Sequence, residues 1–299
     1  MRIVGVILGL AAIAVPAQPR SAAKRMDDPP VTALREMMNA VNAGDPEEYA
    51  RLYAPDAVIE IHGTRVFTGR SAIEDYEREL LREFPGVRLA FHAIWRKGLL
   101  AVVHYAVNGQ TAGGQRMGHE GLLFYRFQQS GLIQDERRYL DSLTPMAQLA
   151  ARGAAPFRPP PPLPDAVAVR MAKGSPMEDW NVALVRASVA ALDSKNEMAF
   201  LSNLADDIVL DEMIDPRPVT GKGDAKAWFR KWTAALPDAK TEITRILGIE
   251  EFVLVEMVVR GTPKGRPVHR AAIVQVKAGK FTRIANFMNG RELAAAVGR

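Results

Sequence analysis

The stretch GLIQDERRYLDSLTPMAQLA at 131–150 returns in altered form as GKFTRIANFMNGRELAAAVG at 279–298. In each copy a glycine opens an alternating run and an aromatic follows (Tyr139, Phe287). A short polar residue stands two positions later (Asp141, Asn289), and an apolar helical segment closes the copy. That order predicts a strand and then a helix. A repeat on this scale divides the chain into two related halves, and neither half should lack a core.

The flanking sequence fits that division. In the first half the periodicity predicts helices over 31–43, 46–53 and 71–83, a strand at 57–61, a turn at Thr68–Gly69, and strands near 87–96, 99–107 and 119–127 before the repeated strand. The second half predicts the same order: helices at 177–192, 197–204 and 224–235, and strands at 208–213, 240–248, 252–260 and 269–277. Helices followed by mainly antiparallel strands make each half α+β. Between them, residues 153–176 include Arg158, Pro159 to Pro162 and Pro164, which predicts an extended, stiff linker. The domains are expected at 31–152 and 177–299.

The 299 residues are 48% hydrophobic and 24% charged, enough for two such domains. The net charge of +5 is spread as +2 over 1–30, −1 over 31–152, +2 over 153–176 and +2 over 177–299. Neither half has a one-sided basic field, so no nucleic-acid partner is expected. With no cysteine the chain has neither disulfides nor a cysteine-linked lipid. Met1 and Arg2, an apolar run from Ile3 to Val15, then Pro16 and Ala17 have the form of a secretory signal. Cleavage is expected after Ala17 or Ala23, giving a periplasmic or secreted protein with no membrane span thereafter.

Tyr139 and Asp141 share strand parity, so both leave the sheet on one face, where a carboxylate beside an aromatic is suited to acid/base chemistry. The alternative is that Asp141 caps the helix beginning near Ser142. His119 and His269 stand at matching places at the start of the penultimate strands once hairpin lengths are allowed for, and their persistence points to a pocket role or to a strand-end hydrogen bond. His104 and Glu256 also correspond, each polar within an apolar strand, at the rim or across from a neighbouring strand. Trp228 and Trp232, four apart on a helix, are expected to pack in the core. No pair or triad has zinc-site spacing, no Gly-rich loop follows a strand and no GxSxG occurs, so neither metal nor cofactor is expected.

NAGDPEEYARLYAPDAVIEIHG at 42–63, FTGRSAIEDYE at 67–77, FPGVRL at 84–89, FLSNLADDIVLDEM at 200–213, TGKGDAKAWF at 220–229 and LPDAK at 236–240, with the repeated stretch, resemble the SnoaL-like polyketide cyclases. These belong to the nuclear transport factor 2-like and ketosteroid isomerase-like superfamily. The resemblance implies two cone-shaped domains, each a curved sheet packed on two to three helices around one apolar pocket. It also implies an internal pseudo-dimer through the sheets, in a monomer or a homo-oligomer. The ketosteroid isomerase catalytic positions, counted from Asp56 and Asp207, fall on Met37, Ile61 and Leu123 in the first half and on Ser188, Glu212 and Ile273 in the second. Only Glu212 could act as a base, so a steroid-type isomerase is disfavoured.

The cyclases' acid/base aspartate matches Asp141. Asp141 and His119 are therefore the expected catalytic pair, with Tyr139, His104, Ile61, Leu123, Glu212, His269 and Asn289 expected against a small apolar or polyketide-like ligand. Two readings stay open: cofactor-independent acid/base isomerase or cyclase chemistry in the first domain, or a non-catalytic binding or assembly scaffold.

Overall fold

A computed structural model of the chain describes residues 28–111, 113–150 and 158–298. The expected signal segment and its cleavage sites lie outside the described residues. In the first domain, α1 (Pro29–Ala43) and α2 (Pro46–Arg51) precede β1 (Tyr53–Ile61), β2 (Arg65–Thr68) and α3 (Arg70–Glu83). Three long strands follow, β3 (Arg88–Lys97), β4 (Leu100–Gln110) and β5 (Arg116–Phe127), and then β6 (Ile133–Leu140) and α4 (Leu143–Ala150). The second domain repeats this with α5 (Pro176–Asp193), α6 (Glu197–Ser202), β8 (Leu204–Glu212), β9 (Val219–Thr220), α7 (Gly221–Ala235), β10 (Lys240–Ile249), β11 (Phe252–Arg260), β12 (Val268–Lys277), β13 (Lys280–Met288) and α8 (Gly290–Val297).

Local chemistry sets the boundaries. Asp28 and Asp45 accept backbone N–H bonds at the starts of α1 and α2, and each helix then has a proline in its first turn, where no N–H partner is needed. Gly44 ends α1 at φ 71°. Ser175 and Glu178 form a reciprocal capping box on α5.

With β7 at Ala168–Met171, the strand order is β2-β1-β6-β5-β4-β3-β7 in one sheet and β10-β11-β12-β13-β8-β9 in the other. Neighbours are antiparallel except β1 with β6, β13 with β8, and β3 with β7. Part of the segment expected to be an extended, stiff linker joins the first sheet: β7 (Ala168–Met171) adds an edge strand to it. The proline segment is docked as well, with Asn108 Nδ2 donating to the Pro161 carbonyl at 2.6 Å.

Each sheet has one face against its own helices, where Leu34, Met37, Phe91 and Tyr125 form the first core and Phe200, Phe229, Val255 and Phe281 the second. The other face of each sheet meets its counterpart. Trp95, Leu122, Phe124 and Tyr139 pack there against Leu254, Ile273 and Phe287. Each large side chain so buried contributes about 1.5–3 kcal/mol. The two domains form an internal pseudo-dimer, with both faces of the central strands dry.

Candidate functional site

Inward and outward positions alternate along β6. Glu136, Arg138 and Leu140 line the cavity under the first domain's helices, while Tyr139 belongs to the contact between domains. The Tyr139 hydroxyl donates to Glu256 Oε1 at 2.9 Å, and Glu256 is fully buried beside Arg245 (3.1 Å) and Arg137 (3.5 Å). The pseudo-symmetric contact is Phe287 against His104, ring centroids 5.4 Å apart. Tyr139 and His104 thus face the partner domain rather than the helix-covered cavity.

The ladders also settle the internal alignment. Ile61 pairs with Arg138 and Arg138 with Leu123, just as Glu212 pairs with Asn286 and Asn286 with Ala272. Leu123 therefore corresponds to Ala272, and Ile273 lies on the opposite face. Counting back along β5 and β12, His119 corresponds to Val268, and His269 corresponds to Glu120. The expected equivalence of the two histidines was one residue out, because the preceding hairpins differ in length and only the paired strands fix register.

His269 faces Glu292, Nδ1 to Oε1 2.6 Å, which raises its pKa, and stacks on His62 at 4.6 Å. Burial, followed by the charge of His269, drives His62 down to about 3. Asn289 caps α8 through the Arg291 N–H. Asp141 caps α4: its oxygens accept from the amides of Leu143 (3.1 Å), Thr144 (2.9 Å) and Gly290 (3.0 Å) and from the Thr144 hydroxyl (2.7 Å). It does border, with His119, Arg158 and Pro159, a cavity of about 240 Å³ between the domains. Its acceptor capacity is nevertheless taken up by these four donors, the geometry of a cap.

The chemistry converges elsewhere, in a cavity of about 230 Å³ whose apolar wall includes Met37, Leu80, Phe84 and Leu123. Ile61 is buried in the surrounding core without lining it. One side of the cavity is polar. Arg138 lies 2.7 Å from Glu136 Oε1 and donates to the Tyr49 hydroxyl at 2.6 Å; Tyr49 bonds Tyr53 at 2.8 Å, and Tyr53 donates to Glu136. An ion pair this deep is held by good geometry and satisfied neighbours. His119 Nε2 meets the Tyr105 hydroxyl at 3.1 Å, while its Nδ1 is buried without a hydrogen-bond partner among the described residues. Burial takes this imidazole down to about 4, so it is neutral at pH 7.

Glu77 completes the wall. It lies on the buried stripe of α3 one turn after Ile73, 3% exposed, and no described residue donates a hydrogen bond to it. Burial pushes its pKa up to about 7, against the lowering pull of Arg138. A carboxyl that changes protonation near neutrality beside a fixed cation is suited to proton transfer. Glu77, Glu136 and Arg138 were all missed from sequence, although a glutamate four residues after Ile73 on a helical apolar stripe was a readable sign.

The second domain is built differently. Glu212 is 4% exposed and accepts at Oε1 from Asn286 (2.9 Å) and Arg270 (3.4 Å), while Oε2 has no partner among the described residues. Burial raises its pKa. It borders a cavity of about 250 Å³ with Trp228 and Trp232, whose stacked rings thus line space as well as pack. The space under this domain's own helices shrinks to about 70 Å³, closed in by Phe200, Trp228 and Met257. Among the described residues no helix is long and apolar enough to cross a membrane.

The model of the SnoaL-like domain family matches twice, over residues 34–136 and 185–284. Similar solved structures include RV0760c of Mycobacterium tuberculosis in complex with estradiol-17beta-hemisuccinate: 20% identical, 38% of this chain and 95% of that one covered, TM-score 0.36. Another is a ketosteroid isomerase-like protein of Catenulispora acidiphila in complex with trimethylamine: 17% identical, 41% and 94% covered, TM-score 0.37. Comparison with curated proteins gives no match.

Proposed function

The chain belongs to the SnoaL-like domain family, and on that premise we propose that its first domain binds a small, largely apolar carbonyl compound and catalyses cofactor-independent proton transfer on it. The observation that carries this reading is Glu77, a buried carboxyl facing the cavity with no hydrogen-bond donor among the described residues and a pKa of about 7. At neutral pH a large fraction of Glu77 is ionised and able to take a proton from carbon next to a carbonyl. Arg138 supplies positive charge at the cavity wall for the enolate oxygen that develops. Return of the proton from Glu77 at another carbon gives isomerisation; bond formation by the enolate before that return gives ring closure. A cavity of about 230 Å³ is just under the usual small-molecule range of roughly 300–1,000 Å³, which favours a compact ligand.

The second domain favours the scaffold reading only for the space closed in by Phe200, Trp228 and Met257, which is reduced to about 70 Å³; the cavity of about 250 Å³ beside Glu212 stays open. Export is part of the proposal and rests on the apolar run Ile3–Val15 followed by Ala17.

The test is mass spectrometry of small molecules retained by the purified protein, followed by incubation in deuterated water. Wild type should exchange a carbon-bound hydrogen of the retained molecule. Glu77→Gln should retain the molecule and lose exchange by about 100-fold or more, and Leu123→Trp should retain nothing. Exchange unchanged in Glu77→Gln would remove the acid/base role.

A further inference from the structure

Two imidazoles and a carboxylate converge outside the helix-covered cavity, where the proposed proton transfer does not use them. His92, His104 and Glu120 project from the adjacent strands β3, β4 and β5 on the side turned to the second domain. The β3–β4 register slips at His92, between the pairs Phe91–Tyr105 and Ala93–His104. This bulge gives His92 no cross-strand partner and turns its ring onto that of His104, centroids 4.5 Å apart. His92 Nε2 lies 3.1 Å from one Glu120 oxygen and His104 Nε2 lies 3.6 Å from the other. Both nitrogens are shielded from water and neither makes a well-directed hydrogen bond among the described residues. Two buried ring nitrogens are thus aimed at one carboxylate, within ion-pair reach of it but without good hydrogen-bond angles.

The geometry points to a divalent transition-metal site, best matched to Zn²⁺, formed by Nε2 of His92, Nε2 of His104 and a carboxylate oxygen of Glu120. The three ligand atoms lie within 4.8 Å of one another. Tetrahedral zinc with bonds of 2.0–2.1 Å separates its ligands by roughly 3.3 Å, so the site closes with small side-chain shifts. Two imidazole nitrogens and one carboxylate oxygen suit zinc or its neighbours better than magnesium or calcium. Glu120 and the neighbouring His119 also line the 240 Å³ cavity between the domains, which leaves a fourth position for water or a small ligand.

The corresponding residues of the second domain are Thr244, at the equivalent bulge, Glu256 and His269. Glu256 is held by Arg245 and Tyr139, and His269 by Glu292. The fold therefore forms without the triad in one of its two copies, and one ion per chain is expected.

The full chain, without a polyhistidine tag and stripped with chelator, is titrated with Zn²⁺ by calorimetry and with Co²⁺ by visible absorption. The expected result is one saturable equivalent, with the intense bands of low-coordinate cobalt. His104→Gln and Glu120→Gln should each lose that equivalent, while His269→Gln keeps it. Absence of a stoichiometric equivalent in wild type, a weak six-coordinate cobalt spectrum, or full binding by either triad variant overturns the site. Where a variant does not fold, the wild-type stoichiometry and cobalt spectrum decide.

Discussion

Asp141 and Asn289, equivalent residues of the two repeats, each cap their own helix and reach across to the other's. The Gly290 amide donates to Asp141 Oδ1 at 3.0 Å, and the Ser142 hydroxyl donates to Asn289 Oδ1 at 2.9 Å. A Cβ on Gly290 would lie 3.0 Å from that Asp141 oxygen and 2.8 Å from Leu143 Cδ1, so a side chain there would crowd the crossing. In Asp141→Asn a single amide oxygen replaces two acceptor oxygens, and an NH₂ group must face at least one donor. Stability should fall by about 1–2 kcal/mol, read as a lower urea midpoint at unchanged slope, with ligand retention unaffected. A variant that is equally stable but loses turnover would return Asp141 to the acid/base role.

Glu77 makes stability depend on pH in a defined direction. Its folded pKa of about 7 exceeds the ordinary 4.5, so the folded state holds the proton more tightly than the unfolded chain. The associated stability is complete below pH 4.5 and is lost as pH rises through 7, a change on the order of 3 kcal/mol. Glu77→Gln should abolish that decline in urea melts taken across this range; an unchanged profile would mean that the carboxyl is solvated.

His119 acts in the opposite sense. Its folded pKa of about 4 lies below the ordinary 6.5, so its contribution is present above 6.5 and is lost as pH falls toward 4. The windows overlap with opposite signs, so Glu77→Gln and His119→Gln should tilt the profile in opposite directions, on top of the acid loss that His62 contributes in both. His119→Gln should be the less acid-sensitive protein, and a steeper acid loss in that variant would contradict a buried neutral imidazole.

Glu256 connects the domains. Glu256→Ala leaves Arg245 without its buried partner and removes the acceptor of Tyr139, for an expected loss of about 3–5 kcal/mol. Tyr139→Phe alone should cost about 1–2 kcal/mol. In a double-mutant cycle the two should couple, since they share one hydrogen bond; additive losses would place the Tyr139 hydroxyl elsewhere in solution.

The repeat, the order of helices and strands, and the family were legible because they depend on local chemistry. Apolar periodicity, Asp45–Pro46 and Ser175–Pro176 helix starts and glycine turns each act within a few residues and need no distant partner. The docked strand β7 was not legible: four residues after a proline run become a strand only because β3 offers an open edge.

The candidate site divides on the same line. Sequence alone located the strand β6 and singled out Tyr139 on it, but only the tertiary structure decided which way its side chains point. Alternation identifies a core face when the opposite face is wet, whereas here the second domain dries the outer face as well. Tyr139 and His104 thus face the partner domain, Glu136 and Arg138 face the cavity, and Glu77, far away in sequence, becomes a group of pKa about 7 only through burial among them. Likewise His92, His104 and Glu120 have no motif spacing, because three separate strands and a bulge bring them together.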